Sequence, residues 1–256
     1  MILTRRDTLI LSMAGIAGAA LPPFPAAAQT QGDRYAAEGG DIVIRPIQHA
    51  SFALTTPAGV TIYNDPVGGA ALYEGQPRPD LILISHEHGD HFDPGTLAGI
   101  VSDGTKLVTN PSVHDKLPDD LKAAATALGN GDSTTVGEVQ IDAIPAYNMT
   151  EDRKQYHPQG RDNGYVLTLA GKRVYVAGDT EDIPEMRTLT GIMVAFVPMN
   201  LPYTMSVDQA VDGVAAFAPE YVYPYHYRGS DPKEFADKLA AKGAATRVVM
   251  GPWYES

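Results

Sequence analysis

Residues 80–91 read Asp-Leu-Ile-Leu-Ile-Ser-His-Glu-His-Gly-Asp-His, so that a short apolar run is followed closely by three histidines. The continuous apolar run at 81–84 is typical of a strand that is buried on both faces of a sheet. His86 and His88 stand two residues apart, and in extended backbone their side chains project to the same side and can share a metal ion. The stretch therefore predicts a buried strand that ends in a metal site.

The second half of this stretch adds a carboxylate and a third imidazole to the site. Gly89 lets the chain turn, which can aim Asp90 and His91 at a point next to the first two histidines. A solvated polar loop would explain one or two of the histidines, but not three of them at the mouth of a buried strand. We therefore interpret residues 86–91 as the principal cradle for one or two metal ions.

The composition of the chain limits its chemistry. Its 256 residues, 44% of them hydrophobic, can bury one sizeable α/β core. The formal net charge of −12 argues against a nucleic-acid partner, because phosphate backbones are bound by basic patches. Since the chain has no cysteine, any metal site must be built from imidazole and carboxylate groups. We expect a small-molecule substrate.

Residues 1–28 have the composition of an export signal. Arg5-Arg6 precedes an apolar stretch at 8–21, and Ala26-Ala27-Ala28 offers a cleavage site before Gln29. Adjacent arginines resemble the signal of the twin-arginine export route. The alternative is a membrane anchor, but the 14 apolar residues fall short of the roughly 20 that span a bilayer. We therefore expect a periplasmic protein without an integral membrane segment after signal cleavage.

The remaining chain is predicted to begin with a flexible tail at 29–40 and to form one domain at 41–256. Strands are predicted at 41–46, 52–55, 60–63, 80–85, 106–109, 139–144, 164–169, 173–177, 193–197, 221–224 and 247–250. Helices are predicted at 94–101, 118–128, 183–189, 207–217 and 231–241. Ser206 and Ser230 are the expected N-caps of the last two helices. Hairpin strands followed by strands that alternate with helices, in both halves of the chain, favour a four-layer αββα sandwich of two mixed sheets flanked by helices.

The pattern His-x-His-x-Asp-His after an apolar strand resembles the signature of the metallo-β-lactamase superfamily. Further segments are similar in order and spacing to the lactonase-like and general hydrolase branch of that superfamily. These segments are His49-Ala-Ser-Phe52, Asp65-Pro66, Ile144-Pro-Ala-Tyr-Asn148, His157-Pro-Gln-Gly160, Asn163-Gly-Tyr-Val166, Ala177-Gly-Asp-Thr180 and Tyr223-Pro-Tyr-His-Tyr227. The resemblance covers roughly residues 41–254 and implies the same αββα sandwich as the pattern of strands and helices.

The resemblance also implies distant partners for the cradle. Asp179 matches an aspartate that bridges two metals in the family, a role for which a carboxylate with two oxygens is suited. Asp179 could instead be a plain turn residue before Thr180. His226 matches the last metal histidine of the family, and its alternative is a buried core imidazole. Together with the cradle, the implied metal ligands are His86, His88, Asp90, His91, Asp179 and His226.

One position departs from the family pattern. Many members carry a histidine where this chain has Asn148, and an amide oxygen is a weak ligand for zinc. The first metal is then either held more loosely, with Asn148 as its third ligand, or it recruits His157, nine residues later. His157 could equally support the site from behind or face the substrate. His49 is placed like a residue near the site in the family, or is a hydrogen-bonded histidine that ends a strand. His114 is expected on a surface helix.

The expected function is that of a metal-dependent hydrolase, in which a metal-bound hydroxide cleaves an ester, lactone, amide or phosphodiester bond of a small molecule. Asp90 would accept the proton or orient the hydroxide, and Tyr203, Tyr227 and Arg161 are candidate substrate contacts. One or two divalent ions are expected, with Zn²⁺ preferred and Mn²⁺ or Fe²⁺ as alternatives. Two other functions fit the same ligands: an iron-dependent oxidoreductase, and a metal-binding protein without turnover.

Overall fold

The computed structural model describes residues 32–254, so the predicted signal peptide at 1–28 lies outside the described residues. Two seven-stranded sheets make up the centre of the domain. The strands of the first sheet, in order across it, are β1 (Asp33–Ala37), β2 (Gly40–Gln48), β3 (Ser51–Thr55), β4 (Thr61–Asn64), β5 (Leu81–Ile84), β6 (Lys106–Thr109) and β7 (Ala125–Ala127). Those of the second sheet, also in order, are β8 (Ser133–Val136), β9 (Val139–Ala146), β10 (Asp162–Leu169), β11 (Lys172–Val176), β12 (Ile192–Pro198), β13 (Tyr221–Tyr225) and β14 (Arg247–Val248).

Helices cover the outer faces of both sheets. They are a short 3-10 helix at Ala70–Tyr73 and the α-helices α1 (Pro94–Ile100), α2 (Pro111–Lys116), α3 (Asp119–Lys122), α4 (Pro184–Arg187), α5 (Val207–Phe217) and α6 (Pro232–Ala241). Buried residues of α1 to α3 pack with the first sheet, and those of α4 to α6 pack with the second. No helix within residues 32–254 is both long and apolar enough to cross a bilayer.

The main hydrophobic core lies between the two sheets. Phe52 on β3 and Phe196 on β12 are stacked face to face across this interface, with ring centroids 3.9 Å apart. The same core includes side chains from both sheets, and Trp253 packs against it near the end of the described chain. Helix, sheet, sheet and helix therefore form four layers, and the predicted αββα sandwich is confirmed.

The topology brings the carboxyl ends of several strands to one edge of the sandwich. Strands β4 to β7 are parallel to one another, and so are β11 to β14. The two sheets are joined at this edge, where Asn163 N donates to Ser85 O at 3.0 Å and Tyr165 Oη donates to Ile84 O at 2.8 Å. Residues that directly follow β4, β5, β11 and β13 are therefore held close together.

The predicted helix at 118–128 and the predicted tail at 29–40 both differ from the structure. The predicted helix at 118–128 ends at Lys122, and 125–127 instead form β7. Alanine-rich sequence favours helix, but parallel pairing of β7 with β6 outweighs that propensity. The tail predicted at 29–40 contains β1, which pairs with β2, because Tyr35 is buried and its hydroxyl lies 2.6 Å from that of Tyr223.

The start of α5 was predicted correctly, and that of α6 was not. Ser206 caps α5 in a reciprocal arrangement: its Oγ accepts from Gln209 N at 3.1 Å, and Gln209 Oε1 accepts from Ser206 N at 3.0 Å. The cap of α6 is Asp231, whose carboxylate accepts from Lys233 N at 2.8 Å, and not Ser230. An aspartate is as good a cap as a serine, so the choice between neighbours depends on backbone geometry.

The capping arrangement can be tested by substitution. We expect Ser206→Ala to lower the free energy of unfolding by about 1 kcal/mol, because the N–H of Gln209 loses its acceptor. Ser230→Ala is the matched control and should change stability by less than about 0.5 kcal/mol. Urea denaturation of both variants measures these values. Equal losses in the two variants would contradict the assignment of the caps.

Candidate metal centre

Eight histidine and aspartate side chains converge at the edge where the strand ends meet. They come from the turn between β2 and β3, the loop after β5, the segment before β10, and the residues after β11 and β13. The eight residues are His49, His86, His88, Asp90, His91, His157, Asp179 and His226. The structure therefore brings together all six metal ligands implied by the sequence, with His49 and His157 beside them.

Three histidines form one cluster within this centre. His86, His88 and His157 offer nitrogen atoms that all lie within 4.8 Å of one another, and His86 Nε2 is 3.1 Å from His88 Nδ1. The second nitrogen of His86 lies 3.0 Å from Ser85 Oγ, and His157 Nδ1 lies 2.9 Å from Asp162 Oδ2. These contacts fix the two rings with their Nε2 atoms turned into the cluster.

A second cluster lies beside the first. It consists of His49, Asp90, His91 and His226, whose candidate ligand atoms also lie within 4.8 Å of one another. Asp90 Oδ2 is 3.1 Å from His49 Nε2 and 3.4 Å from His226 Nε2. The Asp90 side chain is 52% exposed, whereas His91 and His226 are buried, so Asp90 is the member of this cluster that faces solvent.

Asp179 lies between the two clusters. Its Oδ2 is 3.4 Å from His157 Nε2 on one side and 3.3 Å from His226 Nε2 on the other. Its Oδ1 is 3.3 Å from His91 Nε2. Gly178 places this carboxylate: its φ is +65°, and a Cβ there would lie 2.7 Å from Asn163 O. The position of Asp179 is that of a carboxylate shared by two sites.

The donor atoms of the centre suit a divalent cation. His91 Nε2, His226 Nε2 and Asp179 Oδ1 are buried and have no hydrogen-bond partner among the described residues. Buried polar atoms without partners are costly, so the convergence of these three atoms fits the binding of a positively charged ligand. Imidazole nitrogens and carboxylate oxygens are the ligands that Zn²⁺, Mn²⁺ and Fe²⁺ accept. The residues present therefore fit one or two such ions.

The pKa of Asp179 also favours the binding of a cation. Burial on its own would raise the pKa of Asp179, but the imidazoles of His226 and His91 outweigh it and hold this pKa well below its usual range. Burial on its own would lower the pKa of His91, but Asp179 and Asp65 outweigh it and raise that pKa to about 9. Asp179 is therefore ionised and attracts positive charge to the middle of the centre.

Asp65 supports the centre from behind. This fully buried carboxylate accepts hydrogen bonds from Ser85 N at 2.7 Å, Ser85 Oγ at 2.7 Å and His91 Nδ1 at 2.8 Å. The contact with His91 Nδ1 leaves Nε2 of that ring directed at Asp179. A carboxylate behind a metal-binding histidine fixes the tautomer and orientation of the ring.

Three residues of the centre have left-handed backbone conformations that are unusual outside glycine. These are His49 with φ of 50°, Asp65 with φ of 40° and His226 with φ of 44°. Two of them are tied together, because His226 N donates to His49 O at 3.0 Å. Such strain is held in place by the surrounding contacts and clusters at functional sites.

A cavity of about 520 Å³ opens in front of the clusters. Tyr203, a candidate substrate contact, lines it and is 46% exposed. Tyr227 lies in a neighbouring cavity instead. The guanidinium of Arg161 is engaged from behind by Asp162, with Nε 2.7 Å from Oδ1, and one of its terminal nitrogens lies 3.5 Å from His88 Nε2. Among the three candidates, Tyr203 is the one placed to meet a ligand in this cavity.

Asn148 has other partners. Its amide nitrogen donates to the backbone carbonyls of Arg153 and Tyr203, at 3.0 and 2.7 Å, and its side chain does not line the cavity. His114 lies on α2 and, as expected, does not belong to the centre.

Several residues around the centre were not identified from the sequence. They are Asp65, Ser85 and Asp162, which hold histidines, Tyr254, which contacts His49, and Tyr156, Asn200 and Arg228, which line the cavity. A signal existed for two of them: Asp65 lies in a segment that resembles the family, and Asp162 directly follows Arg161. Ser85 and Arg228 are also close in sequence to the histidines at 86 and 226, whereas Tyr156, Asn200 and Tyr254 reach the centre through the fold.

Comparison with known proteins identifies relatives that share the fold and are named metal-dependent hydrolases. A family model described as a beta-lactamase superfamily domain matches residues 43–226. A UPF0173 metal-dependent hydrolase from Pyrococcus furiosus is 34% identical over 183 residues, which are 68% of this chain and 79% of that protein.

Two solved structures have the same fold. A protein from Parabacteroides distasonis, assigned as a metal-dependent hydrolase, is 41% identical, with a TM-score of 0.79 over 86% of this chain and 98% of its own. The metallo hydrolase Igni18 from Ignicoccus hospitalis is 26% identical, with a TM-score of 0.67 over 82% of this chain and 95% of its own.

Proposed function

Because this chain belongs to the metallo-β-lactamase superfamily, and its relatives are named metal-dependent hydrolases, we propose that it hydrolyses an ester, lactone, amide or phosphodiester bond of a small molecule. The observation that carries this proposal is the convergence of unpartnered donor atoms of His91, His226 and Asp179 beneath an open cavity. A site of this kind can hold cations where a substrate reaches them.

We assign the residues of the centre to two cation sites. His86, His88 and His157 would hold the first cation, and Asp90, His91 and His226 would hold the second. Asp179 would be shared by both. The choice of His157 over Asn148 is supported by their positions, because Asp162 orients His157 towards the cluster, whereas Asn148 does not line the cavity. Bound divalent cations, with zinc or manganese favoured, would lower the pKa of water towards about 7 and polarise the scissile group.

Asp90 is the proposed catalytic residue of the protein itself. Its carboxylate is half exposed to the cavity. Burial on its own would raise the pKa of Asp90, but the nearby imidazoles of His226 and His49 outweigh it and lower this pKa. An ionised carboxylate in this position accepts a hydrogen bond from the attacking water and orients it.

His49 is proposed as a positioning residue for Asp90. Its Nδ1 lies 2.8 Å from the hydroxyl of Tyr254, and its Nε2 lies 3.1 Å from Asp90 Oδ2. If the hydroxyl donates to Nδ1, the Nε2–H donates to the carboxylate and fixes its direction. Tyr203, which also lines the cavity, is the proposed contact for the substrate.

We also propose that the protein is exported to the periplasm by the twin-arginine route. The support is the sequence at residues 1–28, together with the start of the folded domain. Cleavage before Gln29 would leave four residues ahead of β1, since β1 begins at Asp33 (33 − 29 = 4). The mature chain would then begin almost directly with ordered structure.

The assignment of the first site is tested by His157→Ala with His114→Ala as its matched control. We expect His157→Ala to retain about half of the bound metal and to lose turnover by roughly 100-fold, because one of the four proposed ligands of the first cation is missing. His114→Ala should match the wild type, since His114 lies on α2 outside the centre. Metal content is measured by elemental mass spectrometry, and turnover on 4-nitrophenyl acetate, a γ-lactone, an anilide and bis(4-nitrophenyl) phosphate.

The same measurements can contradict the proposal. Full metal content in His157→Ala would exclude His157 as a ligand. Stoichiometric iron with oxygen consumption in the wild type would identify an oxidoreductase. Tight metal binding without turnover on a broad panel of esters, lactones, amides and phosphodiesters would identify a binding protein.

A further inference from the structure

We infer that Arg228 is a specificity-determining residue that binds a carboxylate on the substrate, with the apolar part of the substrate in a second cavity beside the metal centre. This inference rests on the proposed hydrolase function, but not on which bond is cleaved. Arg228 follows His226 by two residues and lies outside the set of metal ligands.

Two cavities meet at Arg228. The cavity in front of the metal centre and a second cavity of about 550 Å³ have two lining residues in common, His49 and Arg228. The second cavity is lined largely by apolar and aromatic side chains, among them Ile47, Leu72 and Tyr227. Leu72, which lines this cavity, is 45% exposed. A ligand that extends from the metal centre into this apolar space passes Arg228.

The guanidinium of Arg228 is available for a ligand. Arg228 is exposed, and no carboxylate among the described residues pairs with it. Arg161, the other arginine near the centre, differs because its guanidinium is bound to Asp162. Arg228 therefore brings to the cavity a positive charge that no carboxylate of residues 32–254 neutralises.

Arg228 is held in a defined position despite its exposure. Its guanidinium carbon lies 5.5 Å from the centroid of the Tyr254 ring, a cation–π contact. The hydroxyl of Tyr254 in turn contacts His49 Nδ1 at 2.8 Å, and His49 contacts Asp90. The charge is thus placed beside the metal centre through two side chains that also position Asp90.

This arrangement fits a carboxylate with an apolar body. A guanidinium presents a planar fork of donors that pairs with the two oxygens of a carboxylate. One guanidinium balances a single negative charge, and in a chain of net charge −12 a singly charged group is repelled less than a doubly charged phosphate. The adjoining apolar cavity would cover a short alkyl or aryl portion next to that carboxylate.

The inference can be tested by binding, without turnover. The probes are 4-phenylbutyrate and its neutral amide, 4-phenylbutyramide, titrated calorimetrically into the metal-loaded full-length protein. We expect the wild type to bind the carboxylate about tenfold more tightly than the amide, and Arg228→Gln to lose this preference. Arg228→Lys, which keeps the charge without the fork, should retain an intermediate preference.

Arg247→Gln is the matched control. The guanidinium carbon of Arg247 also lies 5.5 Å from a tyrosine ring, that of Tyr221, but it lines a different cavity. This variant should keep the full preference for the carboxylate. A preference for the carboxylate that persists in Arg228→Gln would indicate that the carboxylate binds the metals, and it would overturn the inference. Equal binding of the two probes by the wild type would also overturn the inference. Absence of turnover with retained carboxylate preference would instead contradict only the hydrolase proposal.

Discussion

Asp179→Asn is expected to remove most of the bound metal and to lower kcat/KM by about 1000-fold on any substrate that the wild type turns over, which corresponds to about 4 kcal/mol. The reason is the central place of this carboxylate. Its two oxygens lie 3.3 to 3.4 Å from nitrogens of His91, His157 and His226. An amide of the same shape carries no charge, so both proposed sites would lose their common anionic ligand.

The variant needs a control that separates loss of metal from loss of fold. Asp103→Asn makes the same chemical change at an exposed loop position and should have wild-type metal content and activity. Metal content by elemental mass spectrometry, circular dichroism and turnover are compared for the three proteins. Unchanged metal content in a folded Asp179→Asn protein would show that Asp179 is not a shared ligand.

Asp65→Ala is expected to lower the free energy of unfolding by about 3 kcal/mol and the affinity for metal by about 10- to 100-fold. The loss of stability has a simple origin. Without this buried carboxylate, the backbone N–H and hydroxyl of Ser85 and the ring nitrogen of His91 lose their acceptor. The loss of affinity follows because the ring of His91 is then no longer held with Nε2 towards Asp179.

Asp65→Asn provides the comparison, since its amide oxygen keeps one acceptor at nearly the same place. We expect its loss of stability and of metal affinity to fall between those of the wild type and Asp65→Ala. Urea denaturation gives the first quantity, and titration of the metal-free proteins with Zn²⁺ gives the second. Wild-type metal affinity in Asp65→Ala would show that His91 needs no support from behind.

Elements that are decided by local pattern could be predicted from the sequence. The apolar run at 81–84 forms β5, and the capping pattern at Ser206 starts α5. The two edge strands of the first sheet, β1 and β7, were missed because side-chain contacts and pairing with other elements decide them. Residues 125–127 join β6 in spite of their alanines, and β1 is fixed by Tyr35, whose partner Tyr223 lies 188 residues away. In both cases tertiary contacts outweigh sequence propensity.

The candidate site could be predicted only where its residues are consecutive or match a family pattern. The run from His86 to His91 belongs to the first kind. The placement of His157 depends on a contact that is neither consecutive in sequence nor part of a family pattern. Asn148 N donates to His157 O at 2.9 Å, and this hydrogen bond closes the loop between the two residues. The loop between them is anchored on Glu181, which accepts from Met149 N and Thr150 N. The conformation of this loop therefore depends on Glu181, about thirty residues further along the chain, and the spacing of residues in the sequence does not reveal that contact.

The metal centre is assembled across the interface between the two sheets. The half of the chain that forms the first sheet supplies His49, His86, His88, Asp90 and His91, and the half that forms the second sheet supplies His157, Asp179 and His226. Any cation held by both sets binds the native arrangement far better than an unfolded chain, so occupancy adds RT ln(1 + [L]/Kd) to the stability of the sandwich. Through this thermodynamic linkage, the free metal concentration around the protein would set how firmly its two halves are held together.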